Sequence, residues 1–283
     1  MSLTRYLEKH APIRDAFKAL HNAEARRVRA SATLAPSLTK NPSFVGTAFD
    51  YLARISLVSR LPPGVQIHSR PWVAETCVDA LEWRCTKAKA RKWRKLILGA
   101  KEEIGATLTS DPNHAIEIVQ FLAHTDYLLR YPDGFDPDFK PIPEVTAELT
   151  ALLKVFEAAK GFDAREVCFL NPAFAASRDV GGADADLILD STLIDFKVVK
   201  NMEAAFDYVL QLAGYAVLHG RGGIAIDPPY KKPFSHVGIY FARHGQLVTW
   251  KMSDIFQHAG FDKFGKVFWE ELPHWKRTTG MMR

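Results

Sequence analysis

The 35-residue stretch GGADADLILDSTLIDFKVVKNMEAAFDYVLQLAGY, residues 181–215, constrains the fold of this chain most strongly. Residues 184–189 alternate between acidic and apolar side chains, and residues 192–199 are rich in β-branched and apolar ones. Between them, Asp190 and Ser191 suit a two-residue turn. The spacing of apolar residues then becomes helical. We therefore predict a β-hairpin that leads directly into a helix.

A tight turn at that position places Asp186 opposite Asp195 and Asp184 opposite Lys197. Side chains alternate between the two faces of a strand, so these four residues project from one face, with opposed Cβ atoms about 5 Å apart. Three carboxylates on one patch repel one another, and a bound divalent cation relieves that repulsion. The alternative is a solvent-facing pair of strands whose acids are balanced by Lys197 and Lys200.

The order of these residues resembles a known family of nucleases. Asp186, followed after eight residues by Asp-Phe-Lys at 195–197, resembles the acidic and D/E-x-K elements of the PD-(D/E)XK nuclease superfamily. Gln211 and Tyr215 in the following helix resemble the Q-x-x-x-Y element of its RecB-like exonuclease branch. Helix positions i and i+4 share a face, so both side chains can point at the hairpin.

The resemblance implies a fold and a chemistry. The fold is α/β (α+β): a restriction-endonuclease-like core with a central mixed β-sheet flanked by helices, plus a helical insertion. The chemistry is metal-dependent hydrolysis of phosphodiester bonds in DNA, with phage defence or DNA repair as settings. Phosphodiester hydrolysis needs an activated water, an electrophilic phosphorus and stabilisation of the leaving oxygen. Mg²⁺ or Mn²⁺ held by carboxylates supplies all three.

The resemblance also assigns roles to residues. Asp186 and Asp195 are expected to bind the metal together with a backbone carbonyl near Phe196. Lys197 is expected to orient the attacking water or to stabilise the charge that develops on the phosphate. The last two candidates are expected to position the metal site or the DNA backbone: Gln211 and Tyr215.

Two further acids are candidates for the site. Asp184 fits the G-x-x-D motif of the family through Gly181. Asp186 fits its A-D-L-I-L motif and lies opposite Asp195. We favour Asp186 as the main metal ligand and keep Asp184 as a second one. Asp50 occupies the polar position of the helix that opens the core of RecB-like nucleases. The alternative for Asp50 is an ordinary surface pair with the residue four positions later, Arg54.

The remaining segments divide the chain into regions. We predict an N-terminal helical arm at 1–43, the first core helix of the nuclease domain at 44–60, a helical insertion at 61–160 and the nuclease core sheet and helices at 161–283. HVGIYFAR and QLVTWKM in the last region alternate around a turn at 243–246 and predict a second hairpin that extends the sheet.

Positive charge is concentrated in the first hundred residues, which carry 18 Lys/Arg against 7 Asp/Glu. Its densest part, residues 84–101, interleaves cations with Trp83 and Trp93, and phosphates along a nucleic acid would match such a field. An exposed Trp could also stack on a base. The alternative is a surface helix with both tryptophans in the core. The candidate nucleic-acid-binding residues are Lys87, Lys89, Arg91, Lys92, Arg94 and Lys95.

Composition excludes several classes of protein. The three cysteines, Cys77, Cys85 and Cys168, have no C-x-x-C spacing, which disfavours zinc and favours a reduced, cytoplasmic compartment. No apolar run is long enough to span a membrane, and the first residues lack the apolar region of a secretory signal. No P-loop or helicase motif is present, so a nuclease of this kind would rely on a protein partner for translocation or targeting.

Three functions therefore remain for the sequence. The first is the metal-dependent deoxyribonuclease, with RNA not excluded as a substrate. The second is a nucleic-acid-binding protein on a nuclease fold whose catalysis is weak or lost. The third is an interaction protein whose helical insertion binds another protein.

Overall fold

The structure is a computed structural model that describes residues 2–26, 28–29, 31–130, 132–203, 205–257 and 259–279. Its α-helices are α1 (Leu3–Lys9), α2 (Ala11–Leu20), α3 (Pro42–Val58), α4 (Val73–Thr76), α5 (Lys87–Ser110), α6 (Pro112–Thr125), α7 (Tyr127–Arg130), α8 (Pro143–Ala158), α9 (Phe206–Gly222), α10 (Met252–Ile255) and α11 (Gly260–Thr278). Its strands are β1 (Gln66–Ser69), β2 (Val167–Leu170), β3 (Leu187–Leu189), β4 (Thr192–Lys197), β5 (His236–Phe241) and β6 (Gln246–Lys251).

The strands form one mixed sheet in the order β1-β2-β3-β4-β5-β6, as far as the described residues go. The pairs β1/β2 and β4/β5 are parallel, and the other neighbouring pairs are antiparallel. Helix α9 connects β4 to its parallel neighbour β5, and β5 and β6 form the second hairpin. The predictions of an α/β fold with a central mixed sheet flanked by helices, and of a second hairpin, are confirmed.

The β3–β4 hairpin has the register that the sequence predicts. Leu189 is paired with Thr192 and Leu187 with Ile194. The strands are shorter than predicted, because regular pairing of β3 begins at Leu187, and Asp184 forms only an isolated bridge. The tight turn at Asp190-Ser191 therefore fixes the face on which every later side chain of β4 projects.

The sheet separates two apolar cores, one on each face. Leu187 and Ile194 pack in the first core with side chains of α3, α6 and α8. Ile188 and Leu193 pack in the second core with α1, α2, α9 and α11. Both faces of the hairpin are thus covered by helices, and its acidic residues share the face of Ile188 and Leu193, towards α9.

The segment 61–160, predicted as a helical insertion, contains a strand as well as helices. Strand β1 lies at the edge of the sheet and pairs in parallel with β2. Three of its four residues are exposed, and Ile67 is the only apolar one, so it lacks the alternation that identifies a half-buried strand. The helical part of this segment between Val73 and Ser110 is divided into α4, a 3₁₀-helix at Val78–Trp83 and α5.

The N-terminal segment packs in the second core and does not project as an arm. Leu7 and Phe17 are buried there, and the Tyr6 hydroxyl donates a 2.7 Å hydrogen bond to the carbonyl of Phe268 on α11. Helix α1 also lies against α9 at Gly214, where an added Cβ would be 2.8 Å from Leu7 Cδ1. Glycine at this position allows the two helices to approach closely.

Helix ends explain two further boundaries. Asn41 caps α3, because its side-chain oxygen accepts a 3.1 Å hydrogen bond from the Phe44 N–H. Gly223 caps the end of α9: its φ is +78°, and an added Cβ would be 2.3 Å from the Tyr230 carbonyl oxygen. Among the described residues, no helix combines the length and the apolar composition needed to span a bilayer.

The side chain of Asp190 joins the hairpin turn to the start of β2. Its carboxylate accepts hydrogen bonds from the backbone N–H groups of Arg165, Glu166 and Val167, at 2.9–3.0 Å for the closest oxygen of each. The backbone of Asp190 is left-handed, with φ of +51°. Burial alone would raise the pKa of Asp190, but the three N–H groups outweigh it and lower this pKa.

We expect Asp190→Ala to lower the free energy of unfolding by about 2 kcal/mol at pH 7, because it removes a charged acceptor of three hydrogen bonds. Asp190→Asn should cost less, since asparagine tolerates the left-handed backbone and keeps one acceptor oxygen. The folded pKa is lowered, so the charge stabilises the fold above the unfolded pKa of about 3.9, and this contribution is lost as the pH falls through the lower folded value. Urea unfolding at several pH values measures both effects; an unchanged gap between wild type and Asp190→Asn at low pH would contradict the role of the charge.

Candidate active site

A cavity of about 460 Å³ opens where the β3–β4 hairpin meets α3 and α9. Its lining includes carboxylates from two separate parts of the chain, Asp50 on α3 and Asp184 and Asp186 before β3. Tyr215 of α9 and Phe196 of β4 complete the wall near these acids. The structure thus brings most of the acids singled out in the sequence to one cavity.

Asp186 and Asp195 lie beside each other, as the hairpin register requires. Asp186 Oδ2 accepts a 2.7 Å hydrogen bond from the Phe196 N–H, which ties it to β4. Asp195 lies within β4 and is only 3% exposed. Burial and the charges of Asp195 and Asp50 raise the pKa of Asp186 well above its usual range. The surroundings therefore disfavour the charged form of Asp186.

Lys197 is the cation of this cluster. Its Nζ lies 2.6 Å from Asp195 Oδ2; this contact has the distance of an ion pair but not hydrogen-bond geometry, and that oxygen receives no hydrogen bond from any described residue. Burial would lower the pKa of Lys197, but Asp195 and Asp186 raise it by more. Nζ also lies 4.7 Å from the centre of the Tyr208 ring. Lys197 is therefore held charged next to the acids.

A chain of hydrogen bonds connects Lys197 to α9. Lys197 Nζ donates to Gln211 Oε1 at 3.2 Å, Gln211 Nε2 donates to the Tyr215 hydroxyl at 2.8 Å, and that hydroxyl donates to the Asp184 carbonyl at 2.8 Å. Burial, Asp195 and Asp186 raise the pKa of Tyr215 well above its usual range, which keeps its hydroxyl protonated as a donor. Gln211 and Tyr215 thus orient Lys197 and fix the chain just before β3.

Asp50 forms the ion pair with Arg54 that the sequence allowed, but the pair lines the cavity. The Arg54 guanidinium contacts the Asp50 carboxylate and is stacked over the Tyr51 ring, 5.1 Å from its centre. Arg54 is only 5% exposed. The charge of Asp50 is close enough to raise the pKa of Asp186. Asp50 therefore both pairs with Arg54 and lies at the candidate site.

Asp184 differs from Asp186 in its surroundings. Its side chain is exposed and forms an ion pair with Arg70, and its backbone carbonyl, not its carboxylate, is bound by Tyr215. Of the two aspartates, Asp186 is the one that contacts β4, and the charge of Asp195 acts on it directly.

The donor atoms suit a hard divalent cation, although the acids do not form a closed cage. No group of three or more His, Cys, Asp or Glu side chains within the described ranges converges closely enough to enclose a metal ion. The two neighbouring carboxylates of Asp186 and Asp195 remain, with the repulsion between them and an oxygen that accepts no hydrogen bond. Mg²⁺ binds through one or two carboxylates and keeps several waters, so this pair fits such an ion.

The cavity wall also contains residues that no sequence motif indicated. Asp126, which is buried directly after α6, accepts a 3.0 Å hydrogen bond from the Tyr51 hydroxyl and also lines the cavity. The signal for the α3 wall was present as polar and small residues at helical spacing in an otherwise apolar helix. These wall residues are Ser43, Gly46, Thr47, Asp50 and Arg54.

The basic helix predicted from the sequence is α5, and its cations divide into two groups. Lys89 contacts Asp138, and Arg94 lies 3.5–3.6 Å from Glu82 and Asp79. The other four cations are exposed, and none has a carboxylate within 4.0 Å among the described residues; we call them the α5 stripe: Lys87, Arg91, Lys92 and Lys95. They lie opposite the face of α5 that packs in the core.

The two tryptophans beside this helix have opposite environments. Trp93 is 4% exposed and donates a 3.0 Å hydrogen bond to the Pro137 carbonyl, so it belongs to the core. Trp83, at the end of the 3₁₀-helix before α5, is 88% exposed. The alternative that buries both tryptophans is wrong.

No protein-family model, curated protein or solved structure matches the chain. The site is therefore interpreted from its own residues.

We expect Asp186→Asn to raise the free energy of unfolding by about 1 kcal/mol at pH 7, because it removes a carboxylate that burial and neighbouring charges disfavour. An amide oxygen can still accept the Phe196 N–H. Because the folded pKa of Asp186 is raised, this gain is largest at neutral pH and disappears as the pH falls towards the unfolded value of about 3.9. Urea unfolding measures it, and Asp207→Asn, which breaks only the exposed contact with Arg14, is the matched control. A destabilised Asp186→Asn would show that the acids do not repel as described.

Proposed function

We propose that this protein is a metal-dependent nuclease that hydrolyses phosphodiester bonds of DNA, with a PD-(D/E)XK site of the RecB-like type in a restriction-endonuclease-like core. The observation that carries the proposal is the connected arrangement of five residues, two of which, Asp186 and Tyr215, line the cavity. Two carboxylates of the hairpin lie side by side, and the lysine between them and α9 is oriented by the glutamine and the tyrosine. These residues are Asp186, Asp195, Lys197, Gln211 and Tyr215.

Asp186 and Asp195 would hold Mg²⁺ or Mn²⁺, with Asp184 as a further acid at the rim. The bound ion would activate a water and neutralise charge on the phosphate. The protein contributes the fixed position of the two carboxylates, because Asp186 is bonded to the backbone of β4 and Asp195 is part of it. Rigid placement on a hairpin lowers the cost of organising the site at the moment of reaction.

Lys197 would act on the substrate directly. Its ammonium lies next to the proposed metal ligands, and its charge is stabilised by Asp195 and oriented by Gln211. A cation at that place attracts the scissile phosphate, hydrogen-bonds the attacking water and stabilises the additional negative charge of the transition state. Because the ion pair is already formed, little reorganisation is needed when the substrate binds.

The α5 stripe would contact the phosphates of the nucleic acid outside the cavity. Four exposed cations on one side of a helix, without neighbouring carboxylates, attract a polyanion through charge and read no base sequence. Lys89 and Arg94 belong to the same basic helix, but their charges are partly balanced by acids. The stripe therefore supports binding, and the cavity supports chemistry.

We expect Asp195→Asn and Lys197→Ala to reduce cleavage at least about 100-fold, because each removes a group that would act on the reacting phosphate or hold the metal. Cleavage of labelled linear and circular DNA, single- and double-stranded, is measured with Mg²⁺, with Mn²⁺ and with EDTA. Lys200→Ala, an exposed lysine three residues beyond Lys197, is the matched control and should cleave normally. Thermal unfolding of each variant separates loss of chemistry from loss of fold.

The outcomes distinguish the proposal from its alternative. Wild-type cleavage that requires the metal and disappears in Asp195→Asn supports the nuclease, and an equally active Lys197→Ala would refute the role of the lysine. Binding without cleavage of any DNA or RNA substrate would instead favour a nucleic-acid-binding protein on a nuclease fold.

We expect replacement of the α5 stripe by glutamine to weaken DNA binding and to reduce the slope of log K against log[salt] by about 3, because each phosphate contact releases counterions. Filter binding or anisotropy in EDTA measures the slope without cleavage. A double variant of two exposed lysines on α11, Lys263→Gln/Lys266→Gln, is the control and should leave the slope unchanged. A slope that is equal in wild type and stripe variant would contradict contact at α5.

A further inference from the structure

The most exposed large apolar side chain of the described residues is Trp83. It is 88% exposed, whereas Trp93 and Trp72 nearby are buried. Removal of so large an aromatic surface from water favours any partner that covers it. The acids near it, Asp79 and Glu82, are already in contact with Arg94, so their charge is partly balanced.

The cations of the α5 stripe begin four residues after Trp83. Lys87, Arg91 and Lys95 follow one another at intervals of four residues, which places them about 6 Å apart along the helix axis. An aromatic ring next to a row of cations suits an unpaired strand, because the bases can stack on the ring while the phosphates contact the cations.

The same segment leads from the candidate active site to Trp83. Val73, the first residue of α4, lines the cavity, and Glu75 of α4 lies 3.3 Å from Lys101 of α5. The 3₁₀-helix that ends at Trp83 then runs back along α5 towards its N-terminus, as its contacts with Arg94 show. Lys101 and Lys87 are about 21 Å apart along the axis, so the stripe begins far from the cavity end of the helix.

We infer that Trp83 and the α5 stripe form a binding track for a single-stranded stretch of the nucleic acid, remote from the cavity where the strand would be cut. The inference rests on the proposed function for the identity of the polymer. Trp83 selects unpaired strands because the faces of the bases in a duplex are already stacked on each other and offer no surface to the ring. The stripe adds affinity without selecting between the two forms.

Binding of DNA hairpins in EDTA tests this inference without cleavage. A blunt hairpin is compared with the same hairpin that carries an unpaired 3′ or 5′ thymidine tail. Wild type should bind one tailed form about tenfold more tightly than the blunt form, and Trp83→Ala should lose that advantage while its affinity for the blunt hairpin stays unchanged. Trp83→Phe keeps an aromatic ring and should retain most of the advantage. Leu129→Ala removes another exposed apolar side chain and is the control.

The fluorescence of Trp83 gives a second readout. Single-stranded DNA should quench the part of the emission that wild type has and Trp83→Phe lacks, and it should protect that part from acrylamide. Equal binding of blunt and tailed hairpins by wild type, or an unchanged tail advantage in Trp83→Ala, would overturn the inference.

The two proposals fail in different experiments. Metal-dependent cleavage with no tail preference would leave the nuclease and remove the track. A tail preference without cleavage would leave the track and remove the nuclease.

Discussion

The ion pair between Asp195 and Lys197 lies in an interior that helices cover on both faces of the sheet. A charged pair in such a place costs desolvation, which a nearby counter-charge and oriented dipoles must offset. Asp186, the Gln211 side chain and the Tyr208 ring provide these, and all three depend on the hairpin register and on the position of α9. The cavity, the orientation of the acids and the packing of α9 thus depend on one electrostatic cluster.

Apolar packing on one side and polar groups on another hold this cluster in place. Below it, apolar residues of β3 and β4 pack in both cores and prevent a slip in register, since a slip by one residue would bury the acids in the opposite core. Beside it, polar groups of α3 bring a second acid, Asp50, which Arg54 partly neutralises. The result is a rigid framework that holds an excess of negative charge at an opening to solvent, an arrangement that is costly for stability and typical of a functional site.

Local sequence patterns predicted the local parts of the fold. The β3–β4 register and the second hairpin follow from turn chemistry and from alternation within a few residues. No local pattern predicts strand β1, because it is short, mostly exposed and paired with a strand about a hundred residues later. The wall formed by Tyr51 and Asp126 was missed for the same reason: their hydrogen bond joins residues 75 positions apart, and no local pattern records such a contact.

The packing of α1 and α2 on α9 and α11 has a consequence for how the chain folds. The Tyr6 hydroxyl and the Phe268 carbonyl are 262 positions apart, so the second core has a very high contact order on that side. During synthesis the hairpin can form early, whereas α1 and α2 must wait, with their apolar faces uncovered, until α11 has left the ribosome. Chaperones that bind exposed apolar helices therefore have their longest opportunity at the first twenty residues of this protein.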